Sequence, residues 1–356
     1  MPILKLLNEF ARESVVLSVE PARTCAAHCT YCFAHLNKAS QWGGKQLDLS
    51  DKSTFESILT RSYGPSYDPS HIVQYLLRNR YPVCFANTVE PFQDVDQANA
   101  ILTIFDKFKI PLWFQTKTLN FDHVWPALKP FHDNSSLAIS FPTPNQNILK
   151  RFEPGTPSAN DRRAAIEKAA SHGFQVTLGM APYHHEFCDD PVPFLEEMFS
   201  LGISALFFDH LRLTRRQRQN AKDKAMTELA TSSESLEWPD ESVSHYIAIY
   251  EACLDNDIPI YSPITIPILN GLPNTMPAVC PAGIFAHGRE FPYYEGLIFD
   301  VMHSTFYGDP EYDMDDRDFD DSVILTWSDA LAIMESSHSI TQPFTYSSMH
   351  ELLAIS

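Results

Sequence analysis

The chain has 356 residues, 44% of them hydrophobic, enough for a sizeable core, and a formal net charge of −19. That charge argues against a general polyanion-binding surface, because phosphates attract lysine and arginine. No apolar run approaches membrane-spanning length and no secretory signal is present, which excludes a membrane partner; seven cysteines without a paired framework point to a reducing, cytoplasmic compartment.

In chain order, residues 14–20 read as a first strand, followed by Cys25, Cys29 and Cys32 in a C-x3-C-x2-C run with Tyr31 before the last cysteine. Three thiolates can hold three corners of a 4Fe–4S cluster and leave the fourth iron without a protein ligand. The competing reading is a tetrahedral zinc shell that recruits His28 or His35. Residues 36–67 form a long loop, read as a functional lid or an excursion carrying a short element. Helices are predicted over 70–79, 95–108 (capped by Asp94), 121–131 (interrupted by Pro126), 158–172 (ended by Gly173), 193–201 and 242–256. Strands are predicted over 82–86, 111–116, 136–141, 174–180, 203–209 and 258–261.

This alternation implies an α/β fold with parallel strands and crossover helices. Periodicity alone does not choose between a βα barrel and a doubly wound sheet; the cysteine motif favours a partial (βα)6 barrel over residues 1–262. Residues 263–356, rich in proline and glycine, are expected to form an irregular C-terminal extension that wraps or caps it. In such folds chemistry collects at the C-terminal ends of the strands, and polar clusters fall there: the cysteine loop, residues 87–90, Thr116 and Lys117, Ser140, residues 181–185 and residues 209–212. The acidic stretches 228–241 and 309–321 read as solvated surface. Between 212 and 224 the sign reverses: Arg212, Arg215, Arg216, Arg218, Lys222 and Lys224 oppose only Asp223, which leaves room for a local anionic substrate.

The cysteine spacing with its aromatic resembles the signature of the radical-SAM superfamily. Further stretches resemble its spore photoproduct lyase branch, including the DNA repair photolyase-like group: Asn87-Thr88-Val89-Glu90-Pro91, Thr116-Lys117, Ser140 in Ile-Ser-Phe, Phe152-Glu153-Pro154-Gly155-Thr156 with Arg162 and Arg163 following, Met180-Ala181-Pro182 and Asp209-His210-Leu211-Arg212. The resemblance covers roughly residues 14–218. It implies a 4Fe–4S cluster on Cys25, Cys29 and Cys32, and S-adenosylmethionine cleaved to a 5′-deoxyadenosyl radical. It also implies an external one-electron reductant of the flavodoxin or ferredoxin type. Cofactor contacts would come from Tyr31 near the adenine, Thr88, Glu90, Lys117, Ser140 and the Ala181 backbone. Glu153 and Arg163 read as an internal salt bridge.

Two departures stand out. The family cysteine that donates a hydrogen atom is Asn87 here, and Cys84 could replace it only if the strand end is irregular. Val89 replaces a family serine. A substrate other than the spore thymine dimer is therefore expected, most simply a modified nucleotide or nucleic-acid base contacted by Asn87, His210, Arg212, Arg215 and Arg216. The alternatives are radical modification of a peptide or small metabolite and, from another class, a non-catalytic zinc or iron–sulfur binding module. His184 and His185 are candidate acid–base groups. Cys188, Cys253 and Cys280 are candidates for a second cluster if folding unites them.

Overall fold

The computed structural model describes residues 4–6, 17–22, 24–32, 36, 52–80, 82–86, 88–117, 121–133, 135–232, 240–261 and 275–276. The chain runs through β1 (Leu4–Leu6), β2 (Leu17–Val19), α1 (Lys52–Tyr63), α2 (Ile72–Arg78), β3 (Val83–Phe85), α3 (Val95–Phe108), β4 (Leu112–Thr116), α4 (Phe121–Leu128) and β5 (Ser135–Ser140). It continues through α5 (Gln146–Phe152), α6 (Ala159–Ser171), β6 (Val176–Tyr183), α7 (Pro191–Ser200), β7 (Ile203–His210), β8 (Arg212–Leu213), α8 (Arg215–Asn220), α9 (Lys224–Leu229), β9 (Thr231–Ser232), α10 (Asp240–Asp255), β10 (Ile260–Tyr261) and β11 (Thr275–Met276).

One open sheet carries the order β1-β2-β3-β4-β5-β6-β7-β10-β11, with β1 antiparallel and every later pairing parallel. The parallel strands follow from the alternation, and the arrangement is that of the partial βα barrel favoured by the cysteine motif. A second, two-stranded parallel sheet joins β8 to β9 around α8 and α9. Of the segment after residue 262, β11 is described, and it pairs with β10.

Alternation along the strands sorts the sheet into two faces. Leu17, Val19, Val83, Phe85, Leu112, Phe114, Leu137, Ile139, Val176, Leu178, Leu206 and Phe208 join the main apolar core with Ile101, Phe105, Ile166, Leu195 and Ile249 of the helices. The register places Ser18, Cys84, Trp113 and Ser136 side by side on the opposite face, and likewise Gln115, Ala138, Thr177 and Ala205. Apart from Trp113, the barrel interior is thus lined by small and polar side chains, while most burial energy comes from the helix side.

Most elements lie where the sequence puts them; the differences have local causes. Helix α1 is the short element inside the 36–67 loop. Helix α5 has seven residues, too short to show a period, and is set by Asn145, whose side chain accepts the N–H groups of Asn147 and Ile148 at 3.0 and 3.4 Å. Strand β6 reaches Tyr183 rather than residue 180, because pairing with β7 resumes at Tyr183–His210 after a register irregularity. A capping box between Ser158 and Asp161 starts α6 and fixes Arg162 in its first turn. Gly173, at φ 87°, closes that helix in a conformation glycine adopts without strain.

Candidate active site

The cysteine loop leaves the C-terminal end of β2 and is gripped from two sides. The Gln93 amide accepts the Ala26 N–H at 2.9 Å and donates to the Thr24 carbonyl at 2.5 Å. On the other side the Thr30 N–H reaches the Phe152 carbonyl at 2.9 Å, and the Gly155 N–H reaches the Ala27 carbonyl at 3.0 Å. A Cβ at position 155 would stand 2.2 Å from the Ala26 carbonyl oxygen, so this close approach requires glycine. The Phe152–Thr156 motif is therefore the surface on which the cysteine loop rests. Cys29 is buried, while Cys25 and Cys32 are partly buried. Burial pushes the Cys29 thiol well up and the Cys25 thiol up; N–H groups of Ala27 and Glu90 on Cys25 oppose the latter.

Beside the loop, Glu153 is buried and accepts from Arg162 and from the Tyr31 hydroxyl. Burial raises its carboxyl pKa, and the Arg162 guanidinium works against that. Arg162 also donates to the Ser140 carbonyl at 2.8 Å. The expected Glu153–Arg163 pair is thus corrected: Arg162 turns inward, whereas Arg163 faces α7 and pairs with Glu197 at 2.7 Å. Lys117 Nζ donates to Ser140 Oγ at 2.9 Å, stands 4.0 Å from Glu153 and lies 6.0 Å from the centre of the Tyr31 ring. One Glu90 oxygen accepts from Thr116 Oγ1 at 2.8 Å and from the Lys117 N–H at 2.9 Å. Thr88 donates to Glu20 through its N–H and hydroxyl. The charges of Lys117, Glu153 and Glu90 all bear on Cys29, so residues from the ends of β3 and β4 and from the C-terminus of α5 share one site with the cysteines. Ala181 lies half-buried near the end of β6.

The donor set fits the expected cluster better than zinc. Among the described residues, the one trio of His, Cys, Asp or Glu whose ligand atoms all lie within 4.8 Å of one another is His184, His185 and Glu186, not the three cysteines. A single tetrahedral zinc holds each sulfur at about 2.3 Å and needs its thiolates closer together than that. A cubane offers each thiolate its own iron and accepts a wider spread. His28 is exposed, and His35 lies outside the described residues.

Where β6 and β7 end, a second polar group gathers. His184 is buried; burial first, then His185 and His245, push its imidazole down to about 4. His210 hydrogen-bonds Tyr246 of α10 and is pushed down to about 3 by burial and then by His184, Arg212 and His185. His185 Nδ1 lies 2.8 Å from Ser242 Oγ, and Tyr183 OH 2.8 Å from His245 Nδ1. At neutral pH His184 and His210 are uncharged, which makes each a weak base.

Of the basic run, Arg212 is bound to both oxygens of Asp209 at 3.1 and 3.0 Å, and Arg218 donates to the Thr227 and Ala230 carbonyls. Arg215, Arg216, Lys222 and Lys224 are exposed. Asn220 Nδ2 reaches the Leu36 carbonyl at 2.6 Å, and Leu36, Phe152, Phe187, Leu211, Leu213 and Met226 form a small apolar cluster, so α8 and α9 pack against the cysteine region. Cys84 lies on the interior face of β3, and Ala86, at φ 69°, breaks the strand alternation just beyond it. Cys253 is buried in the main core, with its thiol pushed up to about 12 by burial, and Cys188 donates to the Asp190 carbonyl at 2.9 Å. Asn87 and Cys280 lie outside the described residues.

Glu20, Gln93 and His245 escape sequence reading. Glu20 had one signal, an acid ending an apolar strand; Gln93 and His245 carry none, because their partners are distant in sequence.

Comparison with known proteins gives two findings. A family model for the Radical SAM superfamily matches residues 19–198. Solved structures with a similar fold include spore photoproduct lyase complexed with dinucleoside spore photoproduct (TM-score 0.51, 18% identity, covering 73% of this chain and 78% of that one). A spore photoproduct lyase mutant with bound AdoMet and dinucleoside spore photoproduct is also similar (TM-score 0.50, 16% identity, covering 72% and 78%). No curated protein matches the chain.

Proposed function

This chain belongs to the radical SAM superfamily, and we propose that it directs its radical at a nucleotide or a nucleic-acid base. The family works with a 4Fe–4S cluster, S-adenosylmethionine and a one-electron reductant. When bound, the cluster and S-adenosylmethionine supply a 5′-deoxyadenosyl radical that takes a hydrogen atom from the substrate.

In this reading Cys25, Cys29 and Cys32 hold the cluster. Lys117 and Ser140 offer a cation and a hydroxyl to the cofactor carboxylate. Glu90 anchors the Lys117 backbone, Thr88 ties its loop to Glu20, and the Ala181 backbone and Tyr31 border the adenine. Glu153 and Arg162 hold Tyr31 and Ser140 in place rather than touching substrate.

The observation that carries the substrate class is the group of exposed cations Arg215, Arg216 and Lys222, with Lys224 paired to Glu228, on a segment that Asn220 ties to the cysteine region of an otherwise acidic chain. The fold likeness to a lyase complexed with a dinucleoside supports it. The test is oligonucleotide binding by the reconstituted enzyme across a salt series, alongside 5′-deoxyadenosine formation with reductant. Affinity should fall steeply with salt, and Arg215→Gln with Arg216→Gln should lower the log–log slope by about 1–2. Cys29→Ala should abolish 5′-deoxyadenosine. Binding that is absent or flat in salt, with 5′-deoxyadenosine still formed, would transfer the radical to a peptide or small metabolite.

A further inference from the structure

We propose that His184, His185 and Glu186 form a second metal site, for a divalent transition-metal ion of the Zn2+ kind, where β6 ends. This goes beyond the substrate reading and does not depend on it.

Three consecutive side chains on a strand alternate between faces and cannot converge. Here they do, because the chain turns: His184 is extended, at φ −146° and ψ 143°, and His185–Phe187 make one 3-10 turn. The turn brings one ligand atom from each side chain within 4.8 Å of the others. Two imidazoles and one carboxylate are a complete protein set for zinc with one position left for water.

The surroundings are those of a ligand set. His185 Nδ1 is bonded to Ser242 Oγ at 2.8 Å, which fixes the ring and assigns Nε2 to the metal; ligating histidines usually engage their second nitrogen in this way. His184 Nδ1 accepts the Glu186 N–H at 3.2 Å, the long end of the range. A cation taking that lone pair displaces one weak bond. Asp189 and Asp190 follow closely in the chain, and their charges act on the neighbouring His245. His245 and His210 hold their Nδ1 atoms to Tyr183 and Tyr246, and neither brings a ligand atom within 4.8 Å of all three members of the group, so they stand as neighbours.

The test uses the holoenzyme with its cluster reconstituted, so that iron fills the cysteines before Zn2+ is offered. Zinc and iron are counted after desalting, zinc affinity is measured by calorimetry, and the zinc shell is read by X-ray absorption. The expected result is about one zinc per chain in a shell of nitrogen and oxygen at roughly 2.0–2.1 Å. Affinity should fall at least tenfold in His185→Ala and in Glu186→Gln, and about tenfold in Ser242→Ala, with iron unchanged. Glu186 is exposed, so Glu186→Gln keeps the test open if His185→Ala does not fold. No retained zinc, a shell containing sulfur near 2.3 Å, or equal affinity in wild type and Glu186→Gln would each overturn the proposal.

Discussion

At the β2–β5 end of the barrel mouth, the site is wired by charge: Glu153 binds Arg162, Lys117 stands beside both Ser140 and Glu153, and Glu90 holds the Lys117 backbone. At the β6–β7 end, burial keeps His184 and His210 uncharged, and imidazoles are tied to hydroxyls, Tyr246 on His210, Tyr183 on His245 and Ser242 on His185. Both ends are buried, yet they solve burial in opposite ways. A charge taken from water must be matched by another charge, whereas a buried imidazole without a counter-charge gives up its proton. The first arrangement creates fixed fields suited to a zwitterionic cofactor. The second creates neutral lone pairs suited to a cation.

The largest effect should come from breaking the wired end. Arg162→Gln leaves the buried Glu153 with only Lys117, 4.0 Å away, as a cation and should lower stability by about 3–5 kcal/mol. Arg163→Gln, one residue on, removes a pair with Glu197 at the surface and should cost less than about 1 kcal/mol. Urea unfolding of the two reconstituted variants decides it. Equal losses would mean that the inner pair is not special and that the contrast between the two ends is unfounded.

The uncharged end should show itself through pH. His210 ordinarily titrates near 6.5 and in the fold is pushed down to about 3. The unfolded chain therefore takes up a proton that the folded chain refuses. Stability is full above 6.5 and is lost progressively as pH falls from there toward 3, by a few kcal/mol at most from this group. Unfolding midpoints between about pH 7 and pH 4.5 should fall in wild type and fall less in His210→Gln. Parallel curves would show that the imidazole is not held neutral by its burial.

The same contrast explains what was legible in the sequence. The cysteine loop, Lys117, Ser140 and the Phe152–Thr156 segment announce themselves because each needs one residue type at one spacing; Gly155 has no room for a Cβ. The strand alternation followed from runs long enough to show a period, and α5 did not because seven residues are too few. The choice of Arg162 over Arg163 depends on where the Ser158 cap starts α6, a rotation that spacing to the motif cannot supply. The histidine group was half visible, as His184 and His185, but Ser242, His245 and Tyr246 come from α10, about 60 residues or fewer downstream and without a motif to connect them.

Lys117→Ala should produce the smallest and most specific effect. Its ammonium donates to Ser140 Oγ at 2.9 Å, but its 4.0 Å approach to Glu153 is too long for a hydrogen bond, and Glu153 keeps Arg162 when Lys117 is gone. Stability should therefore change far less than in Arg162→Gln. A charge-assisted contact to a bound carboxylate is worth about 1.5–3 kcal/mol, so S-adenosylmethionine affinity should fall by roughly tenfold or more, with cluster iron unchanged. Equilibrium dialysis of the cofactor against the reconstituted variant measures this directly. A variant destabilised as much as Arg162→Gln, with cofactor affinity intact, would make Lys117 part of the structural wiring and leave Ser140 alone to meet the carboxylate.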